Sequence, residues 1–197
     1  MAPSEFEGFR IILASSSPRR RDLLSEAGIP FVSARVDCDE SWPPGLKGRE
    51  IAEFLAGYKA DAWADKLSDN EILITADTIV WCRDTVLGKP ADAGEAEKFL
   101  TLLSDCQHEV ITALCLRDNM RKHIFSVTTR VTFRKLTGEE ISFYTETCKP
   151  FDKAGAYGIQ EWIGLIGITR IEGSYYNVVG MPVSELYTEL TEFINGK

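Results

Sequence analysis

Three arginines follow a run of serines near the start of the chain, in the segment Ser15–Arg21 (SSSPRRR). Positive side chains in the first turn of a helix oppose its dipole at about 0.3 to 1 kcal/mol each, and a bound anion would remove that conflict. The donors would be backbone N–H groups, the serine hydroxyls and the arginine side chains of this segment. A phosphate site is one interpretation of this pattern, and a solvated basic patch is the other.

A single acid interrupts the most apolar stretch of the chain. Asp77 lies inside Glu71–Val80 (EILITADTIV), which is rich in β-branched residues and predicts a buried strand. A buried carboxylate costs several kcal/mol unless it is paired or binds a metal. The spacing therefore favours a metal ligand or general base at the carboxyl end of a strand, where ligand sites of α/β proteins gather. The alternative is a strand-end residue that caps a neighbouring turn.

Three more charged residues lie at the edges of predicted loops or helices, where most charges are only solvated. Glu40 shares a loop with Asp37 and Asp39, and this loop could supply carboxylates to a hard cation. Lys59 lies near the end of a predicted helix, and Lys89 lies in a constrained Gly-Lys-Pro turn.

A glycine-containing segment, Lys153–Gln160 (KAGAYGIQ), is the fourth candidate. Its glycines permit close backbone approach, and the amide of Gln160 can both donate and accept hydrogen bonds at the edge of a base. The alternative is a tight turn with no ligand.

The elements that must position these residues alternate between strands and amphipathic helices, a pattern typical of α/β proteins. Predicted strands cover Arg10–Ala14, Phe31–Val36, Glu71–Val80, His108–Leu116 and Ile124–Arg134, the last two as an antiparallel ribbon. Predicted helices begin at Pro18, near Ile51, after Asp92, after Thr137 and at Ser184. Gly28 is expected to end the first helix in a left-handed conformation.

Composition restricts the class of protein. The chain has 197 residues, of which 44% are hydrophobic and 26% charged, as in an ordinary globular domain. A net charge of -8 argues against a general nucleic-acid binder but leaves room for a small polyanion. No apolar run approaches the roughly 20 residues of a membrane span, so no membrane partner is expected.

Cysteines and histidines are few. There are five cysteines without a CxxC pair and only two histidines, which gives little support to structural zinc or a Ser-His-Asp triad. The mostly polar start lacks a signal-peptide pattern, so reduced thiols and a cytoplasmic location are expected. Motifs of P-loop, dinucleotide-binding, zincin and α/β-hydrolase enzymes are absent from the sequence.

Seven segments in this order resemble the Maf family of nucleoside triphosphate pyrophosphatases, and they span nearly the whole chain. They are LASSSPRRRDLL (13–24), DE (39–40), YKA (58–60), TADTIV (75–80), LGKP (87–90), DKAGAYGIQ (152–160) and GSYYNVVGMP (173–182). The ADTIV and KAGAYGIQ segments resemble the branch of the family that prefers dTTP and UTP. Each segment alone is a weak signal, whereas the ordered set is specific.

The resemblance implies an α/β, Maf/ITPase-like fold, with helices on the faces of a mixed, twisted sheet. The sheet would be bent between two lobes around a central nucleotide cleft, and residues 1–197 would form one domain. The implied activity is hydrolysis of dTTP and UTP, or modified pyrimidine forms, to the monophosphate and pyrophosphate, which cleans the nucleotide pool. Homodimers are common in the family, so a homodimer is an open option.

The resemblance also assigns roles to residues. The implied catalytic residues are Asp77, Lys59 and Lys89. The implied substrate-binding residues are Ser15, Ser17, Arg19, Arg20, Thr78 and Gln160. A magnesium or manganese ion would be held by Glu40 and Asp77.

Two departures from the family pattern bear on the preferred base. Gln160 is followed by Glu161 and Trp162, where the family usually has glycine and other small residues, and Met181 replaces a commoner leucine. Two rival functions remain open: a purine (ITP/XTP) pyrophosphatase and a nucleotide-binding regulator of cell division. The Pro-Arg-Arg that follows the serines argues against the purine enzyme, which usually has asparagine and lysine there.

Overall fold

The structure is a computed structural model that describes residues 6–36 and 38–196. Within these residues the strands are β1 (Arg10–Ala14), β2 (Val32–Ala34), β3 (Glu71–Cys82), β4 (Thr85–Leu87), β5 (Gln107–Arg117), β6 (Lys122–Phe133) and β7 (Ile168–Glu172). The helices are α1 (Pro18–Glu26), α2 (Arg49–Asp61), α3 (Ala93–Leu103), α4 (Gly138–Cys148), α5 (Trp162–Gly167), α6 (Tyr175–Val179) and α7 (Val183–Asn195). Two short 3-10 turns cover Ala64–Lys66 and Ala154–Ala156.

These strands form one mixed sheet in the order β2-β1-β3-β5-β6-β7, with β4 paired to β3. Strand β1 is parallel to both β2 and β3, whereas β4 is antiparallel to β3 and β7 is antiparallel to β6. The predicted α/β class with a mixed sheet is confirmed.

Local signals in the sequence placed most helix ends correctly. Pro18 opens α1, and Gly28 follows its end with φ +71°. Asp92 caps α3 by accepting a hydrogen bond from the backbone N–H of Glu95. Thr137 opens α4 in a complete capping box. The predicted strand Phe31–Val36 was too long, because only three of its residues pair with β1.

The prediction that Asp77 ends a strand was wrong. Strand β3 runs on to Cys82, because its last residues pair with β4 in a hairpin whose turn, Arg83 and Asp84, has positive φ at both positions. Strand β1 stops at Ala14, and its register pairs Leu13 with Ile74. Asp77 therefore lies beyond the end of the neighbouring parallel strand but in the middle of its own.

The chain divides into two compact units. The first comprises the described residues of 1–77, 112–127 and 180–197, and its fully buried side chains include Leu13, Leu24 and Leu73. The second comprises residues 78–111 and 128–179, and its core includes Leu100 and Phe133. No helix among the described residues is long and apolar enough to cross a membrane.

Candidate active site

The serine loop in the first unit builds the start of α1. Ser17 is the N-cap of this helix, and its hydroxyl accepts a hydrogen bond from the backbone N–H of Arg20 at 3.5 Å. The hydroxyl of Ser15 accepts from the backbone N–H of Ser17 at 3.2 Å. These two hydroxyls therefore fix the turn between β1 and α1, and Arg19 lies in the first turn of the helix.

The Arg20 side chain donates hydrogen bonds to two backbone carbonyls that are distant from it in the sequence. Its Nε donates to the carbonyl of Gly180 at 2.9 Å, and its Nη1 donates to the carbonyl of Ala76 at 2.9 Å and to the Ser15 hydroxyl at 3.5 Å. Burial lowers the pKa of the guanidinium from its usual value, and the Asp77 carboxylate opposes this effect. Arg20 thus holds the backbone directly before Asp77.

An ion triad of Lys59, Asp77 and Glu40 lies in the same unit. The Nζ atom of Lys59 is 2.6 Å from Oδ1 of Asp77 and 2.8 Å from Oε1 of Glu40. The side chains of Lys59 and Asp77 are only 12% and 11% exposed, whereas that of Glu40 is 51% exposed. The carboxylate inside the apolar strand is therefore paired, as its burial requires.

Helix periodicity and one hydrogen bond bring Lys59 to Asp77. Lys59 follows Leu55 by one turn of α2, so its stem runs along the buried face of the helix. The hydroxyl of Thr75 donates to the carbonyl of Ala56 at 2.7 Å and ties β3 to α2. Thr75 was not predicted as a positioning residue, although it lies two residues before Asp77 and so shares its face of the strand.

The charge of Lys59 is secured by its partners. Burial alone would lower the pKa of this ammonium, but the carboxylates of Asp77 and Glu40 outweigh burial and raise the pKa above its usual value. Lys59 is therefore a permanent cation beside Asp77 at neutral pH.

The triad also bears on metal binding. No group of three or more His, Cys, Asp or Glu side chains with metal-binding geometry occurs among the residues that the structure describes. Two carboxylates that converge on one cation, here the Lys59 ammonium, do suit Mg²⁺, which commonly takes one or two carboxylates together with substrate phosphates. The carboxylates of Glu40 and Asp77 thus have the donor chemistry that a hard divalent ion requires.

The loop before Glu40 contains the two other candidate acids, Asp37 and Asp39. The carboxylate of Asp39 accepts hydrogen bonds from the backbone N–H and the hydroxyl of Ser41, at 3.1 and 2.7 Å. Asp37 lies outside the described residues. Glu40 is therefore the acid of this loop that the structure joins to Asp77 through Lys59.

Three of the predicted site residues belong to the second unit. The chain passes into this unit at Thr78, directly after Asp77, and Lys89 and Gln160 lie farther along. The backbone N–H of Gly155 donates to the carbonyl of Gly88 at 3.0 Å, which joins the Lys89 turn to the Lys153–Gln160 segment. Thr78 is half-buried, and Lys89 and Gln160 are exposed.

Two glycines of the second unit lie in close contact with neighbouring atoms. Gly155 has φ +70°, and a Cβ atom there would lie 2.8 Å from Cγ2 of Val80. A Cβ at Gly164 would lie 2.0 Å from the carbonyl oxygen of Ile159. Gly155, in the Lys153–Gln160 segment, and Gly164, in α5, therefore leave no room for a side chain.

The predicted site residues thus fall into two groups. The first unit brings together Ser15, Ser17, Arg20, Glu40, Lys59 and Asp77, with Arg19 in the same helical turn. The second unit contains Thr78, Lys89 and Gln160.

The sequence matches a known protein family over most of its length. The sequence profile of the family described as "Maf-like protein" matches residues 10–193. A dTTP/UTP pyrophosphatase of Parabacteroides distasonis is 51% identical over 186 residues, which cover 94% of this chain and 96% of that protein. A dTTP/UTP pyrophosphatase of Flavobacterium johnsoniae is 44% identical over 194 residues, 98% of this chain and 100% of that protein.

Some solved structures are also similar to this chain. A Mycobacterium abscessus nucleoside-triphosphatase (dITP/XTP pyrophosphatase) is 15% identical to this chain, with a TM-score of 0.48. The alignment covers 95% of this chain and 98% of that protein. The family match and the close relatives extend over nearly the whole sequence. The chain therefore belongs to the Maf-like protein family.

Proposed function

We propose that this chain hydrolyses nucleoside triphosphates, preferentially dTTP and UTP, to the monophosphate and pyrophosphate. The relatives named dTTP/UTP pyrophosphatase, which match 94% and 98% of the chain, support the reaction and the base preference. The observation that carries the chemistry is the ion triad, in which the buried carboxylate of Asp77 is 2.6 Å from Lys59 and shares it with Glu40.

The proposed reaction is attack of water on the α-phosphorus. Asp77 accepts the proton of the attacking water, and Lys59 orients this carboxylate through its hydrogen bond to Oδ1. Phosphoryl transfer needs positioning and charge neutralisation more than covalent chemistry. Arg20 contributes to positioning, because its bond to the carbonyl of Ala76 fixes the backbone next to Asp77.

Other residues bind the substrate in this proposal. Arg19 and Lys89 neutralise the triphosphate, and the serine loop supplies directed donors. Thr78 and Gln160 contact the base. These assignments rest on the family motifs that the residues match.

A divalent ion completes the site in this proposal. Glu40 and Asp77 would hold magnesium or manganese, which when bound neutralises phosphate charge and lowers the pKa of water. A reducing, cytoplasmic setting belongs to this proposal as well. A homodimer, and a modified pyrimidine nucleotide as the natural substrate, belong to the same proposal through the family resemblance.

The test is pyrophosphate release with magnesium and with manganese from dTTP, UTP, CTP, dATP, GTP, ITP and 7-methylguanosine triphosphate. Selective release from dTTP and UTP is expected. Preferential release from ITP would favour a purine enzyme. Nucleotide binding without release from any of the seven would contradict the proposed function.

A further inference from the structure

Gln160 lies in a tight turn that is closed by the backbone. The N–H of Glu161 donates to the carbonyl of Gly158 at 3.0 Å, so Ile159 and Gln160 are the central residues. Ile159 is buried at 5% exposure, whereas Gln160 is exposed. The turn therefore anchors one central side chain and presents the other to solvent.

A buried tyrosine, Tyr144, forms hydrogen bonds with the first and last residues of the same turn. The hydroxyl of Tyr144 accepts a hydrogen bond from the N–H of Gly158 at 3.0 Å and donates one to Oε2 of Glu161. Tyr144 is completely buried in α4. Burial and the neighbouring carboxylate raise the pKa of Tyr144 above its usual value, so the hydroxyl keeps its proton. One fixed hydroxyl thus joins the residues on both sides of the central pair.

Glu161 connects this turn to the start of its segment. Its Oε1 is 3.0 Å from the Nζ atom of Lys153, whose side chain is only 11% exposed and also contacts Asp152. The Glu161 side chain lies against Gly158, where a Cβ would come within 2.8 Å of Cδ. Both carboxylate oxygens of Glu161 are therefore used inside the protein.

We propose that Glu161 and Tyr144 form a brace for the turn that carries Gln160, and that Glu161 is a positioning residue for selection of the base. The inference rests on the proposed function, in which Gln160 contacts the base. Glu161 contacts Tyr144, Lys153 and Gly158, which lie in this turn or beside it. Its influence on base preference passes through the position of Gln160.

The physical basis is the conformational entropy that is lost when the turn becomes ordered. An exposed amide discriminates between base edges only if its backbone is held in place before the nucleotide binds. Without the brace, nucleotide binding must order the turn itself, which weakens binding by about 3- to 10-fold. This loss falls on the base that Gln160 recognises and much less on the phosphates.

The experiment compares kcat and KM for UTP and CTP in wild type, Glu161→Ala, Glu161→Gln and Tyr144→Phe. We expect Glu161→Ala and Tyr144→Phe to reduce the preference for UTP over CTP by about 5-fold, through KM for UTP, with kcat within about twofold. Glu161→Gln restores part of the preference, because its amide oxygen can still accept from Tyr144. Glu109→Gln is the matched control, since it removes the same charge from an ion pair with Arg130 in the same unit, away from α4 and the turn.

A second comparison separates positioning from direct contact. In a Gln160→Ala background, Glu161→Ala should produce no further change in the UTP/CTP ratio, because the residue that it positions is gone. An additive change there would overturn the proposal, as would an unchanged ratio and KM in Glu161→Ala. If Glu161→Ala does not fold, Tyr144→Phe and Glu161→Gln give the same decision. Absence of pyrophosphate release in wild type would instead refute the proposed function.

Discussion

At the scale of single residues, we expect the pairing of Asp77 with Lys59 to govern both the stability and the proposed chemistry of the candidate site. The two charged groups are buried 2.6 Å apart, and the more exposed Glu40 shares the ammonium. Such a pair is costly to break, because removal of one partner leaves a buried charge uncompensated. The two partners should therefore respond very differently to substitution.

Asp77→Asn removes the proposed proton acceptor but keeps the shape of the side chain. We expect pyrophosphate release to fall by about 100-fold or more, because an amide cannot take the proton from water. Folding and nucleotide binding should persist, since Lys59 keeps its contact with Glu40. Steady-state kinetics and titration calorimetry with dTTP measure the two effects, and near-normal turnover would remove Asp77 from the mechanism.

Lys59→Met leaves the Asp77 carboxylate buried without its cation. We expect the free energy of unfolding to drop by about 3 kcal/mol, measured by urea denaturation. The double variant Lys59→Met/Asp77→Asn is the control, and it should recover part of that loss because the unpaired charge is gone. Equal stability of the single and double variants would show that the pair does not carry this energy.

The sequence predicted that Asp77 needs a partner, because an acid in an apolar strand is unstable alone. It did not identify Lys59 as that partner, since the two residues are 18 positions apart on different elements. The Tyr144 and Glu161 contact was equally hidden, because it depends on how α4 packs against a distant turn. Burial can be read from local pattern, whereas the identity of long-range contacts depends on tertiary packing.

At the scale of elements, local chemistry predicted helix ends better than strand ends. Proline, aspartate and threonine caps act within one turn of the chain, so they are visible in sequence. Strand length depends on a partner elsewhere in the chain. For this reason β2 is shorter than predicted and β3 is longer, with Asp77 inside it.

The short helix α5 gives an element-scale prediction. Gly164→Ala places a methyl group 2.0 Å from the carbonyl oxygen of Ile159, so we expect a loss of about 3 kcal/mol in the free energy of unfolding. Gly138→Ala is the matched control, because no atom lies within 4 Å of its new methyl group. That control should change stability by less than about 0.5 kcal/mol. Similar effects of the two substitutions on thermal unfolding would contradict the packing described for α5.

At the scale of the whole molecule, the alternation of strands and helices and the ordered motifs predicted the α/β class and the family. The order of strands in the sheet could not be predicted from periodicity, because periodicity gives each strand's burial but not its neighbours. The dependence of the free energy of unfolding on pH is also a property of the whole molecule, and it can be predicted from one buried histidine.

His108 should make the folded molecule sensitive to mild acid. It is 2% exposed, its Nε2 is hydrogen-bonded with the hydroxyl of Tyr157 at 2.8 Å, and burial lowers its pKa to about 4. Because the unfolded chain then binds the proton more tightly, stability is lost as pH falls below about 6.5. Between about pH 7 and about pH 5 we expect His108 to account for a loss of about 2 kcal/mol.

Urea denaturation at both pH values measures this effect. His108→Gln keeps an amide beside Tyr157 and should remove most of the pH dependence. His123→Gln is the control for loss of a histidine outside the core, because the His123 side chain is 44% exposed beside Glu189. A His108→Gln variant as acid-sensitive as wild type would contradict the assignment.

The central claim is that water attacks the α-phosphorus of a pyrimidine nucleoside triphosphate. The most direct measurement is hydrolysis of dTTP in water enriched in oxygen-18, followed by mass spectrometry of both products. Attack at the α-phosphorus predicts the label in the monophosphate and none in pyrophosphate. Label in pyrophosphate, or release of orthophosphate with a nucleoside diphosphate, would contradict it.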